Sequence, residues 1–393
     1  MPPKVCLLTV HGIGFQQPPK GTRDGYADGL HRRLRTELGA RLGEDPEPPG
    51  DPARPGGGPV YVQSEWKGSR HDGLGRLSKP LIGTGDVAHV ALVYSPSLPP
   101  DPQPGATLEA AARAALSFGH YTSVMGALRM LGRDVWAIVH HPHRDREASS
   151  NLLPRTDISR AARLGHHADV ADLLRGADAG DAGSAGSMNV LRALEDDVAA
   201  YVCRNDLRER VRGFVQEAIL RLMDSGNVDV LVVNAHSQGS VLCWDVLCRL
   251  PLFSWGAQSD RRDLMIRAFV TAGSPIRKYV DLFTWGGQVG QMAALSAPSF
   301  AWQNFWDRRD PVADPLDPPV SWRPGQPASA PGPGDAALLV AVDPVSGDRR
   351  HFAVDDHEVD NVENSAGGGL QAHDYWNNQT EFVQPLAQLL VDG

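Results

Sequence analysis

Cysteine is scarce in this chain, with four in 393 residues, at positions 6, 203, 243 and 248. None of the spacings makes a CxxC pair or a zinc-ligand set, which sets aside disulfide-stapled and zinc-nucleated folds. Cys243 and Cys248 fall within an apolar helical pattern and Cys6 within a strand-like run, so they read as reduced packing residues. Long apolar runs are missing as well. No stretch reaches the length of about eighteen apolar residues that a membrane-spanning helix needs. The opening Met-Pro-Pro-Lys leads into Val5–Val10 without the basic and apolar regions of a secretory leader. The expectation is a cytoplasmic chain with no transmembrane segment. Nor is there an excess of positive charge. Against 38 Lys plus Arg stand 47 Asp plus Glu, a net charge of −9, so nothing draws the chain as a whole to nucleic acid or to an anionic membrane surface. No internal period of about 20 to 50 residues recurs, which excludes repeat architectures.

What the chain does have is enough apolar content, 41% with 22% charged residues, to fold through most of its length. Gly (41) and Pro (31) are abundant and clustered, at residues 44–59, 96–105, 324–334 and 367–369, and these clusters mark loops. Between them short apolar runs alternate with helical patterns, the arrangement of parallel strands joined by crossover helices, so the predicted class is α/β. Predicted strands are Val5–Val10, Val60–Trp66, Val90–Tyr94, Val228–Asn234, Leu264–Thr271, Phe300–Trp306 and Ala337–Val342. The unbroken Val230-Leu231-Val232-Val233 suits a central strand covered on both faces. Tyr26, Leu30, Leu34, Leu38 and Leu42 make an apolar stripe on a first helix. Ala337–Val342 and His351–Val354 flank Ser346-Gly347-Asp348 and predict a hairpin. We read one domain over residues 1–393, carrying a helical insertion at about 100–225 that could form a lid.

The most informative segment is Val228-Asp-Val-Leu-Val-Val-Asn-Ala-His-Ser-Gln-Gly-Ser. A buried strand runs towards Ser237 and a helix opens after it, with Ala235 and Gly239 two residues to either side. A serine at the apex of a sharp strand-to-helix turn is strained, and small residues at those two positions let strand and helix pass closely. The helix N-terminus turns amide hydrogens and the positive dipole end towards the Oγ. This arrangement marks Ser237 as a candidate nucleophile; an ordinary helix-capping serine is the alternative. A second segment, Val5-Cys-Leu-Leu-Thr-Val-His-Gly-Ile-Gly, carries a strand into a His11-Gly12 loop. It lacks the third glycine of a dinucleotide fingerprint and the Lys-Ser/Thr of a P-loop.

Together the two segments resemble the α/β-hydrolase superfamily, particularly its lipases and esterases. That resemblance implies a mostly parallel central sheet with helices on both faces, and it implies an oxyanion hole from the backbone N–H groups of Ile13 and Gln238. It also implies a chain order of Ser, Asp, His for the triad. Asp310, after the predicted strand ending at Trp306, takes the acid's place, with Asp307 as runner-up and Asp314 and Asp317 as turn residues beside prolines. His373, in Gln371-Ala-His-Asp-Tyr-Trp before a last helix at about Thr380–Leu390, takes the histidine's place, whereas His351 lies in the hairpin and His357 in an acidic turn. One departure from the family's pattern is that the strand carrying His11-Gly12 is the first in this chain.

The implied function is a serine hydrolase acting on carboxylic esters through an acyl-enzyme. Thioesterase or acyltransferase chemistry on the same triad, and a non-catalytic hydrolase-like binding protein, are the alternatives. The apolar residues of Leu108–Val139, among them Met125 and Met130, suggest a small-molecule substrate with an apolar acyl or alcohol group. No cofactor and no metal are expected, since His140, His141, His143, His166 and His167 have no metal-ligand spacing.

Overall fold

A computed structural model describes residues 4–12, 19, 24–46, 57–64, 72–94, 201, 205–247, 265–277, 279, 301–310, 312–316, 340–342, 349–351, 354–364 and 371–391. In chain order these hold β1 (Val5–Val10), α1 (Asp28–Leu38), β2 (Val60–Gln63), β3 (Val87–Val93), α2 (Asn205–Asp224), β4 (Val230–His236) and α3 (Gln238–Leu247). There follow β5 (Met265–Ala272), β6 (Ala301–Trp306), β7 (Val340–Val342), β8 (Arg349–His351), β9 (Asp355–Glu358), α4 (Asn361–Asn364) and α5 (Gln384–Val391). The predicted insertion at about 100–225 lies outside the described residues except for Tyr201 and α2, and its Met125, Met130 and histidines lie outside them too.

The class is α/β. Seven strands form one sheet in the order β2-β3-β1-β4-β5-β6-β9, and every pairing in it is parallel. The unbroken apolar runs of β1 and β4 follow from burial on both faces. On one face Cys6, Leu8, Val10, Leu231 and Val233 pack with Phe214, Val215 and Ile219 of α2 and Val241 and Leu242 of α3. On the other face Val5, Leu7, Val230 and Val232 pack with Leu30, Leu34 and Leu38 of α1 and Leu386 and Leu390 of α5. The α1 stripe is therefore a core face, with Leu42 extending it beyond the helix end, and each fully buried leucine contributes on the order of 2 kcal/mol. Among the described residues no helix is long and apolar enough to cross a membrane.

The topology decides where a site can form. From β1 the chain moves outward to β2 and returns through β3; after β4 it moves the other way, to β5 and β6. The connections thus reverse direction between β1 and β4, and a crevice opens beyond the carboxyl ends of the two strands on either side of such a reversal. The register pairs Val10 with Ala235, so His11-Gly12 and His236-Ser237 leave the sheet side by side.

Two expectations change. His357 belongs not to an acidic turn but to β9, an edge strand whose Phe305↔His357 and Trp306↔Glu358 pairs extend β6. Asp-Asp-His-Glu has poor strand propensity, and tertiary contacts override it. The His357 ring stacks on Phe305 at 4.7 Å, and Asp356 accepts hydrogen bonds from Asn304 Nδ2 (2.7 Å) and Leu316 N–H (2.9 Å). Its charges also suit an edge that must not recruit another strand. The hairpin is present, as antiparallel β7 and β8 in a separate sheet, but its second strand is Arg349–His351 rather than His351–Val354.

Candidate active site

Ser237 stands between the last residue of β4 and the first of α3, and at φ 53° it is the non-glycine residue with positive φ among those described. A side chain in that region costs on the order of 1 kcal/mol, and the surroundings hold it there. Its N–H donates to the Ala272 carbonyl at the end of β5 (2.9 Å), and its own carbonyl accepts from Ser240 Oγ (2.6 Å), which lies 2.8 Å from Ser274 Oγ. Gly239 is needed where the end of β1, rather than β4, lies against α3. A Cβ added at Gly239 would come within 2.4 Å of the His11 carbonyl oxygen, and one at Gly12 within 2.4 Å of Ser237 Cβ. The β1 loop therefore lies directly against the serine. Gln238 is held from the other side, its Oε1 accepting from Tyr279 Oη at 2.6 Å.

His373 lies in a turn of 3-10 helix, Gln371–His373, and Asp310 follows β6. Both side chains are buried, and His373 Nδ1–H donates to Asp310 Oδ2 at 2.7 Å. With Nδ1 carrying the proton, Nε2 is left with its lone pair, the form a general base needs. Burial by itself would raise the Asp310 carboxyl, but the neighbouring His373 imidazole outweighs it, aided by the Val312 N–H and the Tyr375 hydroxyl, and the group is held below the usual carboxylate range. The pair sits against the serine's own support: a Cβ on Gly273, the residue after Ser237's partner Ala272, would meet His373 Cε1 at 2.7 Å. The ring of His236, the residue before the serine, lies 4.5 Å from that of His373, and its Nε2–H donates to the His373 carbonyl at 2.9 Å.

Of the sequence-predicted residues, Ser237 and Gln238 stand where β4 passes into α3, and Asp310 after β6 holds His373, which lies against Gly273 at the end of β5. Ile13 and Asp317 lie outside the described residues. Asp307, the runner-up acid, accepts instead from the N–H groups of Arg309 (2.8 Å) and Asn361 (2.8 Å) and pairs with the Arg309 guanidinium. Burial pushes it up to about 6. Asp314 is buried, and its carbonyl accepts from Asn304 Nδ2 at 3.1 Å.

Sequence reading missed Tyr375 and the histidines that pack around the site. His11 stacks on Tyr94 with ring centroids 4.2 Å apart and donates from Nδ1 to the Gly12 carbonyl at 2.6 Å. On the α1 face His89 bridges His31 Nδ1 (3.2 Å, from Nδ1) and Thr9 Oγ1 (2.8 Å, from Nε2), and Asn234 Nδ2 reaches the same hydroxyl at 3.3 Å. The available signal was register: Thr9 and Asn234 are polar positions within otherwise apolar central strands, and they face each other. Among the described residues no group of His, Cys, Asp and Glu could hold a metal ion.

These histidines make stability depend on pH. Burial lowers His11 to about 4 and His236 to about 3, and it takes His89 well below its ordinary value of 6.5. Their neutral forms are the folded ones, so as pH falls below 6.5 the unfolded chain gains protons that the native chain refuses. Asp307 acts oppositely, since the native state takes up its proton at about 6, before the unfolded state does near 3.8. Three histidines against one carboxyl leave a net difference of about two protons between pH 6 and pH 4. Unfolding free energy from urea titrations should then fall as pH drops across that window, by on the order of 2–3 kcal/mol per pH unit. A flat profile would mean that these rings are charged in the folded protein.

Comparison of the chain with protein-family models, with curated proteins and with solved structures finds no match in any of the three. The functional reading therefore stands on the chemistry of the site. The described groups are a serine on a strained turn at the end of β4 and, against Gly273 at the end of β5, an imidazole whose Nδ1 is tied to a buried carboxylate.

Proposed function

We propose that the chain is a serine hydrolase of the α/β-hydrolase type, cleaving carboxylic esters through an acyl-enzyme. The observation that carries this reading is the placing of the buried His373–Asp310 pair against the Ala272-Gly273 segment that also holds the positive-φ serine. In the proposed reaction His373 Nε2 takes the Ser237 hydroxyl proton as Oγ bonds to the acyl carbon. The carbonyl π electrons move to oxygen, where the Gln238 N–H at the start of α3 stabilises the oxyanion, with Ile13 N–H as the second donor that the family resemblance implies. The intermediate collapses, the C–O bond to the alcohol breaks, and imidazolium returns the proton to the departing oxygen. Water repeats the sequence and releases the acid. Asp310 stays ionised throughout, orienting the ring and stabilising its charged form. Neutral His236 and His11 line the same corner without adding charge to it.

The test is a panel of p-nitrophenyl esters from acetate to palmitate, run beside a thioester and a peptide amide. Preferred turnover of an ester with an apolar acyl chain supports the reading. Preferred turnover of the thioester moves the assignment to a thioesterase on the same residues. No turnover of any of them favours a non-catalytic binding protein.

A further inference from the structure

Tyr375 is completely buried, and its hydroxyl makes one bond of each kind: Oη–H donates to Asp310 Oδ2 at 2.8 Å, and Oη accepts from the Asp307 N–H at 2.9 Å. The oxygen it reaches is the one that receives His373 Nδ1–H at 2.7 Å, while Asp310 Oδ1 accepts the Val312 N–H at 2.9 Å. Two donors therefore share one carboxylate oxygen. The amide behind the phenol polarises it and strengthens its donation. A buried tyrosine needs some partner for its hydroxyl, but not this one; here both of its bonds go to the segment that carries the acid.

We propose that Tyr375 is a positioning residue that sets the orientation and basicity of His373 by holding Asp310 Oδ2. The proposal rests on the serine-hydrolase reading. By taking part of the negative charge on Oδ2, the phenol limits how strongly Asp310 stabilises the positive charge that His373 takes on in the reaction. Burial and the nearby Asp310 and Asp307 raise the phenol's own titration well above its ordinary value, so it remains a neutral donor. Among the described residues, ionisable groups at this corner also include His236, whose ring packs on His373 at 4.5 Å and which feels the Asp310 charge, and Arg309, which pairs with Asp307.

The readout is the pH dependence of the rate at which a fluorophosphonate inactivates the full-length chain. In Tyr375→Phe the midpoint of the rising limb should move up by about half a unit or more, and the plateau rate should fall about tenfold. Because the change also leaves the Asp307 N–H without its acceptor, Tyr375→Phe can lose folded protein. A 3-fluorotyrosine placed at 375 by amber suppression keeps both hydrogen bonds with a stronger donor, and it should move the midpoint down. Opposite shifts in the two variants support the proposal. Wild-type midpoints in the folded variants, with Ser237 labelled, overturn it while leaving the hydrolase reading intact. A wild-type chain that is never labelled on Ser237 overturns both.

Discussion

Ser237→Ala should lower ester turnover by about 10⁵-fold or more while the melting temperature stays within a few degrees of wild type. The large loss follows from the reaction. Without Oγ there is nothing for His373 to deprotonate and no acyl-enzyme, and only weak catalysis from the oxyanion donors and substrate binding remains. The small effect on stability follows from the packing. The braces of the turn are backbone groups that alanine keeps, the Ser237 N–H to Ala272 and the Ser237 carbonyl accepting from Ser240 Oγ. Alanine also fits beside Gly12 and takes on the same positive-φ strain as serine, so native and variant chains differ by one hydroxyl. Parallel kinetics and thermal melts check this. A chain that loses several degrees of melting temperature while keeping its activity would show Ser237 to be a structural helix-capping residue.

The second large effect is at the acid. Asp310→Asn should cost about 10⁴-fold in kcat, since an amide can present its NH₂ to His373 Nδ1, turn the ring to the wrong tautomer and leave the imidazolium unpaired. Asp307 is the control. It lies three residues earlier and is as buried, but it bonds the N–H groups of Arg309 and Asn361 rather than His373. Asp307→Asn should leave kcat within a few-fold and instead lower stability by roughly 1–3 kcal/mol, the cost of disturbing buried hydrogen bonds. Steady-state kinetics and urea unfolding on both variants separate the two carboxyls. The reverse ranking in kcat would make Asp307 the acid.

The sequence showed most clearly what is repeated along the chain or confined to a few neighbouring residues. β1 and β4 were visible because burial on both faces leaves an unbroken apolar run, and the turn at Ser237 because a strand runs into the serine with Gly239 two positions on, where the end of β1 leaves no room for a Cβ. Asp310 and His373 could be picked out as candidates because the family resemblance implies an acid after a late strand and a histidine before the last helix, and they stand after β6 and before α5. β9 was hidden: its charged residues are held by contacts with Phe305, Asn304 and Leu316, and nothing in Asp-Asp-His-Glu announces a strand. The contacts of Tyr375 were hidden for the same kind of reason. Its partners lie 65 and 68 residues earlier, and no local pattern says which carboxylate a buried phenol will find. The buried pairing of His31 with His89 likewise joins α1 to β3, where the stripe on α1 had shown only leucines and a tyrosine.

The most direct test of the central claim is the intact mass of the folded chain after brief treatment with a fluorophosphonate at neutral pH, followed by peptide mapping. The account predicts a single adduct, on Ser237, that is absent in Ser237→Ala and slow to form in Asp310→Asn. A folded chain that takes up no label, or takes it up equally with Ser237 replaced, would contradict it.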